Sequence, residues 1–167
     1  MFFLSGTAAY TNFSVECTCW QEYEAEGGLS YEYRVRQMGR QRSLLFYFGE
    51  AASSTPTMLP VGAYSSDFLD ECVLLVYDSI GDYWTLTIPV TVYPPPGPRE
   101  ETLDEIFQVS FGNDPSVSRR IEAGDFQGAS TAMYSYVSIL NVPPDFVSTI
   151  NQVQCNILNV SRISSRI

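Results

Sequence analysis

The sequence predicts a mostly β fold: an immunoglobulin- or fibronectin III-like β-sandwich followed by a small α-helical hairpin unit. Three observations predict it. Asn12–Trp20 alternates, with Phe13, Val15, Cys17 and Cys19 on one face of a strand and Asn12, Ser14, Glu16 and Thr18 on the other. Cys72–Gly81 opens with the same pattern, placing Cys72, Leu74 and Val76 on one face. Two such strands, each with an inward cysteine, imply two facing sheets. Third, the period changes from two to between three and four after the run Tyr93-Pro94-Pro95-Pro96-Gly97-Pro98.

Residues 1–94 divide into strands and turns. The acidic stretch Gln21–Gly28 ends in Gly27-Gly28 and reads as a loop. Leu29–Arg36 alternates without a break, with Leu29, Tyr31, Tyr33 and Val35 inward and Ser30, Glu32, Arg34 and Arg36 outward. Met38–Arg42 turns around Gly39. Ser43–Phe48 is continuously apolar after its first residue, so both its faces are expected to be covered. A small-residue loop, Ala51–Thr57, leads to a short strand at Thr57–Val61 broken by Pro60, and Gly62–Asp70 reads as a polar loop. After the turn at Ser79–Asp82, Tyr83–Val92 puts Trp84, Leu86, Ile88, Val90 and Val92 on one face, with Trp84 expected in the core. Pro89 lacks an N–H and implies an edge or bulge.

Residues 95–99 form a proline-rich linker, and 100–167 the helical segment. Asp114-Pro115 suits a helix start, and this helix should stop near Gly124. Asp125 can cap a second helix with an apolar stripe of Phe126, Ala129, Met133, Val137 and Leu140. Asn141-Val142-Pro143-Pro144 ends it. Asp145 can cap a third helix with Phe146, Ile150, Val153, Ile157 and Val160 on one stripe, completing a hairpin with Cys155 on the opposite side.

Composition narrows the function. With 19 acidic and 9 basic residues the net charge is −10, which disfavours nucleic acid and anionic membranes as partners. All the basic residues are Arg, and there is no His. Ser-His and Cys-His nucleophile pairs, Schiff-base lysines, P-loop lysines and His-containing zinc sites are therefore excluded. Glu22 and Glu24 could serve a glycosidase, but nothing sets their separation or raises a pKa. The expectation is a non-enzyme without cofactor or metal.

The candidate sites are of other kinds. Cys17, Cys19, Cys72 and Cys155 are disulfide candidates; Cys17 and Cys19 point the same way and cannot bridge each other, but either can face Cys72. An inter-sheet bridge would contribute roughly 2–4 kcal/mol, and the plainer reading is buried thiols acting as small hydrophobes. Cys155 then takes the leftover strand cysteine, pairs elsewhere or stays free. The sequons Asn12-Phe13-Ser14 and Asn159-Val160-Ser161 are glycosylation candidates and, with the cysteines, favour a secreted or luminal compartment. Trp20 with Arg34 and Arg36 forms a possible ligand face for a glycan or protein; the plainer reading is core or inter-domain packing for Trp20 and an ordinary polar sheet face for the arginines, balanced by Glu32 and other acids. Asp67, Asp70, Glu71, Asp78 and Asp82 flank one strand, where acids can hold calcium, but without EF-hand spacing they read as solvated. No stretch has the length of a membrane span, Met1–Leu4 is too short for a signal peptide, and the chain reads as part of a larger protein.

Several segments together resemble a known family. They are Gly6-Thr7-Ala8, Thr11–Trp20, Leu29-Ser30-Tyr31-Glu32-Tyr33, Met58-Leu59-Pro60-Val61-Gly62 and Val76-Tyr77-Asp78-Ser79-Ile80-Gly81. They resemble the last β-sandwich repeat of the receptor-for-egg-jelly (REJ) module of the polycystin-1 family. Arg119–Leu140 and beyond is similar to the segment leading into that family's GAIN domain. The family often has a small residue where Cys19 stands, and no His-Leu-Thr or His-Leu-Ser cleavage site occurs here. The resemblance implies an extracellular module of a large receptor at the plasma or ciliary membrane, serving ligand or partner binding, spacing or force transmission. Implied partners are neighbouring ectodomains of the same chain and, through the parent protein, a polycystin-2-like subunit of a calcium-permeable channel. The alternative is a secreted carbohydrate-binding or cell-adhesion β-sandwich module.

Overall fold

The structure, a computed structural model, describes residues 4–17, 28–38, 41–96, 101, 104–108 and 116–143. Its strands are β1 (Leu4–Thr7), β2 (Asn12–Phe13), β3 (Ser30–Gln37), β4 (Ser43–Gly49), β5 (Thr57–Met58), β6 (Leu69–Tyr77) and β7 (Tyr83–Tyr93). A 3-10 turn spans Tyr64–Ser66. Residues 104–108 are helical. Two further helices follow, α1 (Ser116–Glu122) and α2 (Phe126–Leu140).

The larger sheet has the order β1-β7-β6-β3-β4; the smaller pairs β2 with β5. Beyond β2, the smaller layer continues through a bridge between Glu16 and Ser53 and backbone bonds linking Val15 with Ser54 and Cys17 with Ala52. Alternation decides which side chains enter the core. Phe13 and Val15 of the smaller layer and Tyr31, Tyr33, Val35, Cys72, Leu74 and Val76 of the larger are all buried in one cluster. Each buried Leu or Val contributes about 1.5–3 kcal/mol, so these positions decide the register. The result is a β-sandwich carrying a small helical unit.

Most contacts in the larger sheet are antiparallel, but β1 runs parallel to β7 from Leu4↔Val90 to Thr7↔Tyr93. Pro89 stands one residue before that pairing begins, where its missing N–H leaves no gap in the ladder. Gly62 lets two segments approach closely. Its N–H bonds Val92 O while Phe68 O accepts from Val92, and a Cβ at Gly62 would collide with the Phe68 carbonyl.

Several side chains depart from the sequence reading. Trp84 and Leu86 share the face of the buried Val76 and Leu74, yet they are 48% and 49% exposed, because β1 pairs with β7 only from Val90 onward and Tyr83–Pro89 stands at the sheet's edge. Phe48, opposite Glu32 on the outer face, is exposed, whereas a register shift between Tyr33 and Arg34 leaves Phe46 at a bulge and buried, so β4 is not covered on both faces along its length. Glu32 is buried on the outer face. Pro94 and Pro95 lie buried against the module.

The helix boundaries follow their caps. α1 ends before Gly124, whose φ of +76° suits glycine, and the Asp125 side chain accepts the Gly128 N–H at 2.8 Å. The buried face of α2 is not the predicted stripe. Phe126, Met133, Val137 and Leu140 are exposed, and only Ala129 of that set is buried. The buried face consists of Gly128, Ala129, Thr131, Ala132, Ser135, Tyr136 and Ile139. Small side chains let the helix backbone come close to the sandwich, and their hydroxyls bond to its loops. The third predicted helix, with Cys155, lies outside the described residues.

Candidate interaction surfaces

The outer face of β3 and β6 carries the predicted arginines. The Arg34 guanidinium donates to Glu32 and to Ser43 Oγ at 3.2 Å. Arg36 donates through Nε and Nη2 to one oxygen of Glu71, at 2.9 and 2.6 Å, across the directly paired position Arg36↔Glu71. The Tyr77 hydroxyl donates to Glu32 at 3.0 Å, and burial, reinforced by that carboxylate, raises its pKa. Two cations thus face two anions. With the arginine side chains 40% exposed, each pair is worth about 0–1 kcal/mol. The face is polar and charge-balanced, with guanidinium groups accessible at its rim. Trp20, Cys19, Glu22 and Glu24 lie outside the described residues, so the ligand face expected from sequence is described only at Arg34 and Arg36.

The acids flanking β6 separate to its two ends. Asp78 accepts backbone N–H groups of Ile80 and Asp82 and so fixes the β6–β7 turn. Asp67 takes a left-handed conformation after the 3-10 turn, and Glu71 is paired with Arg36. Among the described residues no group of three or more His, Cys, Asp or Glu side chains could hold a metal.

Asp70 behaves differently. It is fully buried at the end of β6, and its Oδ1 accepts the Ala63 N–H at 3.2 Å. Its Oδ2 has no hydrogen-bond partner among the described residues. Burial pushes the carboxyl up to about 6; Glu71 adds to the shift, while the backbone N–H groups of Ala63 and Met38 oppose it. Asp70 borders a cleft of about 1310 Å³ between the sandwich end and α2, where Val35, Gln37, Val61, Tyr134 and Val137 also stand.

Cys72 is 1% exposed and carries a free thiol, which burial pushes up to about 12. Cys17 is half-buried and packs against the same core. Tyr33, between the layers, is fully buried. Its pKa is raised, first by burial and then by its neighbours Cys17, Tyr31, Tyr47 and Cys72. Of the two sequons, Asn12 is exposed on β2, and Asn159 lies outside the described residues.

The sequence reading missed the joint between α2 and the sandwich. Ser135 Oγ accepts the Ala9 N–H at 2.9 Å and donates to Leu59 O at 2.8 Å. Ser138 Oγ accepts the Val61 N–H at 2.8 Å, and the Gln127 amide donates to Leu45 O. Arg120 binds Asp125 at 2.7 Å and reaches Pro56 O at 3.3 Å. The available signal was a second stripe of small residues at helical spacing, Gly128, Thr131, Ser135 and Ser138.

Among the described residues no helix is long and apolar enough to cross a membrane. No solved structure matches the chain significantly. Two curated relatives do. The human polycystin family receptor for egg jelly is 25% identical over 148 residues, which covers 81% of this chain and 6% of the relative. The mouse protein of the same name is 23% identical over 149 residues, covering 82% of this chain and 7% of the relative. The chain therefore spans a small part of the length of these proteins. The REJ domain family matches residues 3–135, from the strand that flanks β7 to the serine that fastens α2 to the sandwich. The match covers the sandwich and the first part of α2, and this chain belongs to the REJ domain family.

Proposed function

We propose that the chain is a non-enzymatic extracellular module of a large polycystin-1-like membrane receptor, where it binds partners, spaces neighbouring domains of the same polypeptide and carries force. The observation that supports the load-bearing role most is the parallel pairing of β1 with β7. The polypeptide enters the sandwich at Leu4 and leaves it at Tyr93, and these lie at opposite ends of that four-residue ladder. Tension that has drawn α2 off its seat at Ala9, Leu59 and Val61 then shears the ladder, and its hydrogen bonds are loaded together rather than one by one. The Ala8 N–H extends the clamp by donating to Tyr93 O at 2.9 Å.

The relatives' name, polycystin family receptor for egg jelly, supports a ligand-binding ectodomain. In this reading the parent protein stands in the plasma or ciliary membrane, with this module outside, and couples to a polycystin-2-like subunit of a calcium-permeable channel. Single-molecule pulling of the whole chain tests the load-bearing role. The sandwich should unfold in one step at a force that Ala8→Pro lowers, because proline removes the donor to Tyr93. An unfolding force unchanged by Ala8→Pro would count against a β1–β7 clamp.

A further inference from the structure

We propose that Asn12 carries an N-linked glycan, and that this glycan marks the outer face of the β2–β5 layer as turned to solvent. The proposal rests on the extracellular reading above, because the transfer takes place in the secretory lumen.

Asn12 and Ser14 are both exposed, whereas Phe13 between them is 6% exposed and buried in the core. The strand thus puts the acceptor amide and the sequon hydroxyl on one outward side, while its apolar residue fixes the backbone from the other. Asn12 is held in place through its pairing with Met58 and not through its side chain, whose amide makes no hydrogen bond among the described residues. A glycan there would disturb neither the core nor a polar network.

The surrounding surface fits a sugar coat. The outward positions Ser14, Glu16, Ser53 and Thr55 are exposed and polar. Among the described residues, large exposed apolar side chains gather on other elements, Trp84 and Leu86 on β7 and Phe126, Met133 and Val137 on α2, while Tyr10, 46% exposed in the turn before β2, gives its hydroxyl to Glu105. Exposed apolar groups of that kind mark contact surfaces. A face without them, bearing a sequon, is the one that can be shielded while the others meet neighbouring domains.

The chemistry is a glycosyl transfer from a lipid-linked oligosaccharide pyrophosphate. Asn12 Nδ2 attacks the anomeric carbon of the first sugar, an N–C bond forms, and the C–O bond to pyrophosphate breaks. The lipid pyrophosphate leaves, the amide proton passes to the transferase, and nothing is oxidised or reduced.

The test uses the parent receptor expressed in secretory cells, with an epitope tag inserted at the exposed Gly81 turn. Peptide mass spectrometry after enzymatic deglycosylation in heavy-oxygen water should show Asn12 converted to a labelled aspartate. Asn12→Gln and Ser14→Ala should each remove one glycan step from the electrophoretic mobility, and Ser14→Thr should retain it. A tag that stains intact cells while Asn12 is unmodified overturns this proposal and leaves the extracellular reading standing. A tag that stains only permeabilised cells, with Asn12 unmodified, overturns both.

Discussion

The Tyr33 hydroxyl donates a 2.5 Å hydrogen bond to the carbonyl of Ala52, which also accepts the Cys17 N–H at 2.9 Å. Tyr33 belongs to the large sheet and Ala52 to the small one, so this carbonyl ties the two layers together. Tyr33→Phe keeps the ring, which stacks on Phe46 and tilts against Tyr47, and removes only the donor. The carbonyl keeps its second partner, so the expected cost is about 1 kcal/mol. Urea denaturation should show a lower midpoint with an unchanged slope. An unchanged midpoint would mean that the tie contributes nothing.

Ser135 is the most exacting position of the α2 joint, because its hydroxyl serves two backbone groups at once. Ser135→Ala leaves the buried Ala9 N–H without its acceptor, at a cost of about 1–3 kcal/mol. Val137→Ser, two residues on and 53% exposed, should stay within about 0.5 kcal/mol. Thermal melts of the two variants should therefore separate clearly. Equal destabilisation would show that the apolar stripe, and not the hydroxyl face, holds the helix.

This contrast also shows how far the fold was legible in the sequence. Strict alternation placed Phe13, Val15, Tyr31, Tyr33, Val35, Cys72, Leu74 and Val76 correctly, because a period of two admits only one inward set. The cap at Asp125 was legible for a similar reason: its carboxylate has a fixed reach to the Gly128 N–H. The inward face of α2 was not legible. Hydrophobicity points to Phe126, Met133 and Val137, whereas the sandwich selects small hydroxyl residues that allow close approach and satisfy its loop backbone. Glu32 and Trp84 misled because alternation gives direction but not cover. Tyr77 and Arg34 close over Glu32 on the outer face, and Trp84 lies on the stretch of β7 that β1 does not flank, at the edge of the core face. Of the candidate surfaces, alternation already set Glu32 on the face of Arg34, but the pairing of Arg36 with Glu71 is created by register alone.

Asp70 predicts a pH dependence. Its folded pKa of about 6 lies above the ordinary value of 3.8, so folding favours the protonated acid. That stabilisation is fully present below about pH 4 and is lost as the pH rises through about 6. At about 1.4 kcal/mol per unit of difference the change is on the order of 3 kcal/mol. Asp70→Asn keeps an uncharged oxygen to accept from Ala63 and should flatten this part of the stability profile between pH 4 and 7. A variant with the same slope as the wild type would assign the effect to another acid.

Cys72 offers a test of whether the layers are stapled. Its thiol is buried and its pKa pushed up to about 12, so at pH 8 it has neither the access nor the thiolate that alkylation needs. In the folded chain, under non-reducing conditions, mass spectrometry should find Cys72 unmodified by iodoacetamide. In urea without reductant its pKa returns to the ordinary thiol range, and labelling should go to completion. A disulfide would give a different pattern: Cys72 would resist labelling in urea as well and react only after reduction. Cys72→Ser adds a control, because a hydroxyl in that apolar site should destabilise the sandwich by about 1–3 kcal/mol through desolvation alone. Loss beyond that range, together with resistance to labelling in urea, would place the cysteine in a covalent link between the sheets.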